Sequence, residues 1–557
     1  MQRLASQTVL AAEAPLETPT GALGGGAAPR WVHESVGVVV ALALAVLAVW
    51  HMDAGDRSWM LYYDSDSVLP ALVRGSVLSG QPQDWALSAV LFIPEMGLYL
   101  AIAALGLGIK ATFAINAVVN FLLFYGCLRL LSGFAQRGLP RPRRIAGALI
   151  AFGAMMAFTL LDDSSRPDTF ELASLLATTT YYSMTLLASV TATGMVTRLV
   201  TAPTAGRRRW LEWSRLELAL LGLSAFSALT NPLYLVWAAV PLAIVLALVA
   251  WRRVLGWNQL FRVGGILALG GSLGLLARIP FTHLFAVYGP VYAEPWLAGV
   301  SAIYYPAKLA DRTSTVGGAL SIAAIIVLIC VAVIVFRKSL AARDAAAAVV
   351  AGMGWVAPVA LIVGAICVGT FATRYLQPLV YAPVCMLVLV PRLFPKGRAF
   401  VAGFPGRRPS RRTVQLLLAG AAVVSLGVSG LAAGALSRSA AAVDSDVLCV
   451  DAWISASHRT GAGSFWTIRG PKAYLADPGR LIQVDRSFGS YQWLTDRADN
   501  STARVSFVLT DDAHPAPALP AAATTAPSST VRCGRYTITD FGADVLPIGP
   551  ASPHPLA

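Results

Sequence analysis

Leu87-Ser88-Ala89-Val90-Leu91-Phe92-Ile93-Pro94-Glu95-Met96-Gly97-Leu98-Tyr99-Leu100 opens an apolar stretch that runs on to Ile109, and its placement decides the architecture. About 20 apolar residues cross a bilayer as a helix, so length alone leaves two choices for 87–109. Lys and Arg of short loops stay on the cytoplasmic side, and they choose between the two. If 87–109 crossed, Arg137, Arg141, Arg143 and Arg144 would lie outside. If it rests on the outer face as a re-entrant or interfacial helix, each later basic cluster falls inside. Those clusters are Arg207-Arg208-Arg209, Arg252-Arg253, Arg337-Lys338 and the segment from Arg392 to Arg412. The second arrangement is adopted, with the N-terminus in and the C-terminus out.

Composition fits that reading. The 557 residues are 56% hydrophobic and 13% charged, with a mean hydropathy of +0.64. Soluble chains run near 25% charged, which excludes a water-soluble enzyme, a disordered regulator or a nucleic-acid binder as a description of the whole chain. Eleven spans are expected, near 36–52, 110–131, 145–161, 172–197, 216–230, 233–251, 263–280, 317–336, 346–369, 376–391 and 413–434. The inner side then holds 25 of the 43 Lys and Arg and 6 of the 29 Asp and Glu, a balance near +19 inside and −5 outside. The net charge of +14 is a topology signal and an attraction to anionic lipid. It calls for no nucleic acid.

Residues 1–34 read as a flexible cytoplasmic lead, and 35–434 as the membrane domain. Residues 435–557 read as a small extracytoplasmic α/β domain, with strands at Ser464–Thr467, Leu481–Val484, Arg504–Leu509 and Arg535–Thr539. A short helix over Lys472–Ala476 and a loop at 513–530 rich in Ala, Pro, Thr and Ser complete it. Cys449 and Cys533 bracket the domain, and two thiols in an oxidising compartment are expected to pair. The six His are scattered, with none at ligand spacing from another.

The chemistry is sought in the outer loops. The first carries six acidic residues between Asp53 and Glu95, among them Asp64-Ser65-Asp66. A carboxylate at the membrane boundary serves as a general base on a hydroxyl, and two carboxylates one residue apart hold a divalent cation. The plainer alternative is that Asp66 or Ser67 caps the next helix. The second loop, Leu161-Asp162-Asp163-Ser164-Ser165-Arg166-Pro167-Asp168-Thr169-Phe170-Glu171, reads equally as a solvated turn. The third, 281–316, is long and aromatic, with His283, Tyr304, Tyr305, Lys308 and Arg312. In the fourth, Arg374-Tyr375 stands at the mouth of a span, where an Arg either snorkels or clamps a phosphate. Arg278 is a weaker candidate for the clamp.

In this order the pieces resemble the membrane-embedded GT-C glycosyltransferases, of the protein O-mannosyltransferase and lipid A aminoarabinose transferase type. The matching elements are Asp64-Ser65-Asp66, then Ser79-Gly80, then Asp84-Trp85, the Pro-Glu-Met-Gly-Leu-Tyr stretch at 94–99, Tyr125 with Arg129, Asp162-Asp163, and Arg374-Tyr375 with Pro378. Phe465-Trp466 through Asp540-Phe541-Gly542 is similar to the small outer domain of bacterial members. The chain departs from the pattern in two places. Its acidic pair is split by Ser65, and Glu95 stands where the family has a second Pro.

The resemblance implies an inverting transfer of a sugar from a polyprenyl-phosphate carrier to an envelope glycan, lipid or protein, at a bacterial inner membrane. Asp64 or Asp66 would be the base, with a divalent cation at that pair if any is used. Asp162, Asp163, Glu95, Lys308, Arg374 and Tyr375 would bind substrate. Trp466, Tyr491 and Trp493 offer rings to a sugar, or pack a core. A ligase or polymerase of another membrane fold, a lipid or glycan transporter, and a purely structural membrane protein are the competing readings. Internal repeats and midplane charges, which mark transporters, are not evident in the sequence.

Overall fold

Runs of Ala, Leu and Val with their backbone groups satisfied internally form helices in an apolar medium, and helices dominate here. The computed structural model describes residues 30–166, 168–201, 214–286, 293–394 and 427–551. In chain order the helices are α1 (Arg30–Ala54), α2 (Ser58–Tyr62), α3 (Leu69–Leu78), α4 (Ile93–Ala103), α5 (Ile109–Ala135), α6 (Arg141–Thr159), α7 (Ser183–Val200), α8 (Arg215–Thr230) and α9 (Val240–Trp251). There follow α10 (Trp257–Leu276), α11 (Ala298–Thr313), α12 (Val316–Ala341), α13 (Ala345–Val368), α14 (Pro378–Met386), α15 (Val390–Leu393), α16 (427–441), α17 (Ser445–Ser457) and α18 (Phe465–Lys472).

Seven stretches among the described residues are helical, long and apolar enough to cross a membrane: Trp31–Ala54, Ile109–Ala135, Ser183–Val200, Trp257–Leu276, Val316–Ala341, Ala345–Val368 and Thr373–Leu393. The expected spans at 145–161, 216–230 and 233–251 are helices that are shorter or less apolar than these. The one at 413–434 falls largely outside the described residues. The expected 172–197 span begins late: residues 172–182 hold a 3-10 turn and irregular backbone, and α7 starts only at Ser183. Close packing depends on small residues. A Cβ on Gly274 of α10 would lie 2.3 Å from the Ala225 carbonyl oxygen of α8.

The 87–109 segment does not span. Its helix, α4, has 11 residues, a length of about 16 Å against a hydrocarbon core near 30 Å. Phe92 enters it at φ 50 with Pro94 in the first turn. Loop 55–92, loop 160–182, α11 and the Thr373–Leu376 turn meet one another on one side of the bundle, which also carries the C-terminal unit. The ion pairs Arg129–Glu34, Arg141–Glu34, Arg262–Glu217 and Arg392–Asp344 are built on the opposite helix ends.

The C-terminal unit has a five-stranded sheet in the order β3-β2-β6-β8-β7. Here β2 is Gly461–Ser464, β3 Leu481–Val484, β6 Phe507–Asp511, β7 Ser529–Cys533 and β8 Tyr536–Asp540. Strand β2 runs parallel to β3 and β6, with α18 in the crossover to β3. Cys449 of α17 and Cys533 of β7 form a disulfide. Two expectations are corrected. Ser464–Thr467 is not a strand: β2 ends at Ser464, and Phe465 starts α18 because Phe465 and Ile468 pack inward against the sheet. That helix ends at Lys472, so the one expected over Lys472–Ala476 lies earlier in the chain. Strand β7 emerges from the end of the segment expected as a loop. A two-residue strand, β1 (Trp85–Ala86), pairs with β4 (Thr495–Asp496) and joins this unit to the membrane domain.

Candidate active site

The acidic loop is shaped from within. Asp64 is buried, and its Oδ2 accepts the Ser67 N–H at 2.9 Å. Its Oδ1 accepts the Tyr181 hydroxyl at 3.1 Å, and Thr179 donates its hydroxyl to the Ser67 carbonyl. Asp64 therefore closes the turn; the residue before α3 is Val68, which offers no side-chain cap. Burial, and after it the neighbouring Asp66, push the Asp64 carboxyl up to about 6. Asp66 is the more open of the two, with 14% of its side chain exposed, and Arg374 Nη1 lies 3.4 Å from its Oδ2.

Arg374 sits in the Thr373–Leu376 turn at the start of the segment that continues as α14. Its guanidinium faces the rings of Tyr181 at 5.7 Å and Tyr375 at 5.9 Å, a cation–π setting. Its Nε has no hydrogen-bond partner. Gln377 donates to the carbonyls of Tyr181 at 2.8 Å and Arg374 at 3.1 Å, tying the two segments together. Asp168 then fixes the turn from outside. It accepts Thr373 N–H at 3.3 Å, Thr373 Oγ1 at 3.1 Å and the Tyr304 hydroxyl at 2.5 Å, and pairs with Lys308 at 3.2 Å.

The remaining sequence candidates divide. The structure brings Asp64, Asp66, Arg374 and Tyr375 together, and places Lys308 one carboxylate further away, on Asp168. Asp162 belongs to a separate buried cluster. Arg312 reaches Glu171 at 2.6 Å, Asp162 at 3.3 Å and the exposed Asp163 at 3.7 Å, while Arg57 pairs with Glu171 at 3.2 Å. Arg57 also donates to Ser174 Oγ and the Ser164 and Glu171 carbonyls. Burial pushes the Asp162 and Glu171 carboxyls up, and the two guanidiniums oppose that shift. Such a network specifies the loop conformation. Arg278 is occupied by the carbonyls of Leu229 at 2.7 Å and Ala89 at 2.6 Å.

Glu95 is buried in the first turn of α4, where burial pushes its carboxyl up to about 7. An aromatic wall begins at the residue that caps α4. Phe92 and Tyr182 both have left-handed backbones, at φ 50 and 66, and their rings stack at 6.4 Å. Tyr182 is also 5.9 Å from Tyr375 and 6.0 Å from Trp237. Tyr182 and Tyr375 also line an apolar cavity of about 430 Å³, together with Leu233, Val236, Leu361, Ala365 and Val368. The cavity thus reaches the chain neighbour of Arg374.

Asp64 uses both oxygens on Ser67 and Tyr181, and Asp66 already faces a guanidinium cation. Among the described residues no group of three or more His, Cys, Asp or Glu is placed to hold a metal. Tyr491 and Trp493 are buried, and their carbonyls accept from Gln483 at 2.7 and 2.8 Å, so they build the core of the C-terminal unit.

Sequence reading missed Tyr181, Tyr182 and Arg469. The polar run Thr178-Thr179-Thr180-Tyr181-Tyr182-Ser183 within an expected span was the available signal.

No protein-family model matches the chain, and no curated protein matches it. Solved structures do. The chain is similar to ArnT from Cupriavidus metallidurans in the apo state, with 15% identity, a TM-score of 0.51, and coverage of 93% of this chain and 100% of that one. It is also similar to the apo Archaeoglobus fulgidus oligosaccharyltransferase, at 13% identity, TM-score 0.43, and 86% and 70% coverage. The same organism's AglB, in complex with an inhibitory peptide and a dolichol-phosphate, gives 14% identity, TM-score 0.41, and 86% and 69% coverage. The chain shares the overall fold of the Cupriavidus metallidurans ArnT.

Proposed function

We propose that this protein is an inverting glycosyltransferase that moves a sugar from a polyprenyl-phosphate carrier to an envelope glycan, lipid or protein. It would work in a bacterial inner membrane, with the C-terminal unit and the acidic loop on the outer side. The observation that carries the reading is the contact of Asp66 with Arg374, whose guanidinium faces Tyr375, a residue that lines an apolar cavity of about 430 Å³. An isoprenoid chain suits the cavity, and a guanidinium one residue from its lining suits the phosphate. The Cupriavidus fold neighbour ArnT agrees with this architecture.

In this reading Asp66 is the base, because it is open while Asp64 is enclosed and fully hydrogen-bonded. The acceptor O–H breaks and its proton passes to Asp66. The oxygen attacks the anomeric carbon from the face opposite the phosphate, and the carbon–oxygen bond to the phosphate breaks. The electrons leave on polyprenyl phosphate, whose growing charge faces Arg374. Asp64 and Tyr181 hold the loop. Incoming phosphate competes for Arg374 and releases Asp66 from its ion pair.

The test is mass spectrometry of envelope glycans and lipids from a deletion strain, restored with wild type, Asp66→Asn or Arg374→Gln. Loss of one sugar in the deletion, recovered by wild type and by neither variant at normal expression, is the expected result. Recovery by both variants would sink the proposal.

A further inference from the structure

The C-terminal unit touches the acidic loop through a part of the chain four hundred residues away. Arg469 of α18 is 1% exposed, and its Nε donates to the Ser65 carbonyl, between the two aspartates, at 2.7 Å. Its Nη1 donates to the Leu494 carbonyl, and its guanidinium lies 5.0 Å from the Phe465 ring centre. Contacts run the other way as well. Ser65 donates its hydroxyl to the Phe465 carbonyl at 2.9 Å, and Tyr474 donates to the Tyr62 carbonyl at 2.9 Å. The helix approaches so closely that a Cβ on Gly470 would stand 2.8 Å from the Tyr63 carbonyl oxygen. The backbone from Tyr62 to Ser65 is therefore clamped from behind.

Electrostatics point the same way. Arg469 lies close to the acidic pair, and Asp66 and Asp64 are the first anions to favour its charged form. Burial pulls its pKa down to about 10, which still leaves it charged at neutral pH.

We propose that Arg469 is a positioning residue for sugar transfer: by fixing the Ser65 carbonyl it sets where the Asp64 and Asp66 carboxylates stand, which makes the C-terminal unit part of the reaction centre. This rests on the transferase reading above. A displacement of about 1 Å at a reacting group lowers turnover about 100-fold, and Arg469 has no contact with the cavity that receives the lipid.

The test uses the full-length protein carrying Arg469→Gln, Arg469→Lys or Gly470→Ala, with Arg532→Gln in an exposed ion pair as the control. Three quantities are read: restoration of the envelope sugar, affinity for undecaprenyl phosphate, and amide hydrogen exchange over residues 62–68. Arg469→Gln and Gly470→Ala should restore about 100-fold less sugar, keep undecaprenyl phosphate affinity within about threefold, and exchange about tenfold faster over 62–68. Arg469→Lys should fall between these and wild type, and Arg532→Gln should match wild type. Unchanged sugar and exchange in Arg469→Gln overturns the proposal, and so does a parallel loss of lipid affinity. If Arg469→Gln does not assemble in the membrane, Gly470→Ala decides alone, and wild-type behaviour from it overturns the proposal. Asp64→Asn and Asp66→Asn run beside them. If both restore the sugar, the transferase reading fails, while the exchange data still report whether Arg469 holds the loop.

Discussion

Tyr181 donates its hydroxyl to Asp64 across 117 residues of sequence, at 3.1 Å. A donor to an ionised carboxylate favours its charged form. Tyr181→Phe should therefore raise the Asp64 pKa further, so that Asp64 takes up its proton and loosens the loop that carries Asp66 at a higher pH, moving the acid limb of the pH–rate profile up. The loss in turnover at neutral pH is expected to be about tenfold, since one hydrogen bond to a charged group is worth about 1.5–3 kcal/mol. A profile with its acid limb unmoved would show that Asp64 does not govern that limb.

Asp64 also makes a stability prediction. Its folded-state pKa of about 6 lies above the ordinary value of 3.8. The folded protein thus holds the proton more tightly, and the stabilisation is full below about pH 4 and lost as pH rises through about 6. Asp64→Asn removes that loss. Its stability relative to wild type should be higher at pH 7.5 than at pH 4, by an amount on the order of 3 kcal/mol, seen as a higher relative melting temperature. Differential scanning fluorimetry at the two pH values reads this directly.

The buried Arg57–Glu171–Arg312–Asp162 cluster should be intolerant of partial removal. Arg312→Met leaves Asp162 and Glu171 short of a cation and should cost about 3–5 kcal/mol, seen as low yield of folded protein. Asp163→Asn, at a side chain 74% exposed, should change stability by less than about 0.5 kcal/mol. Equal yields from the two variants would remove the cluster from the structural frame.

Arg374 should separate charge from geometry. Arg374→Lys keeps the charge and loses the planar fork, so some lipid-phosphate binding should survive with transfer reduced about 100-fold. Arg374→Gln should lose both. Titration with undecaprenyl phosphate, alongside the transfer assay, distinguishes them.

The disulfide ties α17 to β7 across a separation of 84 residues. Cys449→Ser with Cys533→Ser should destabilise the C-terminal unit by about 2–4 kcal/mol. Limited proteolysis would detect it as cleavage beyond residue 445 at a lower temperature than in wild type.

Much of this architecture was legible because hydrophobic runs and basic loops obey strong rules. Reading 87–109 as a segment that does not cross needed only the Arg pattern, and α4 is too short to cross. Asp66 with Arg374 was legible as a pair of candidates from opposite ends of the chain, though their contact was not. What stayed hidden depends on tertiary structure. Residues 172–182 are apolar enough to read as helix, yet the hydrogen bonds of Asp162 with Ser174 and of Thr179 with Ser67 hold them in another shape. Phe465-Trp466-Thr467-Ile468 has strand-forming residues and becomes α18 because its buried face packs on the sheet. Arg469 carried no signal, since a lone Arg in a polar domain is ordinary until its partner is known.

The Arg469–Ser65 contact also has a temporal side. A ribosome makes Ser65 early and Arg469 some four hundred residues later, so a half-made chain displays its aspartates without the wall behind them. On the proposed reading, such a nascent chain would transfer no sugar. Turnover on that reading could begin only once the unit that carries Arg469 has been made and has docked behind Ser65.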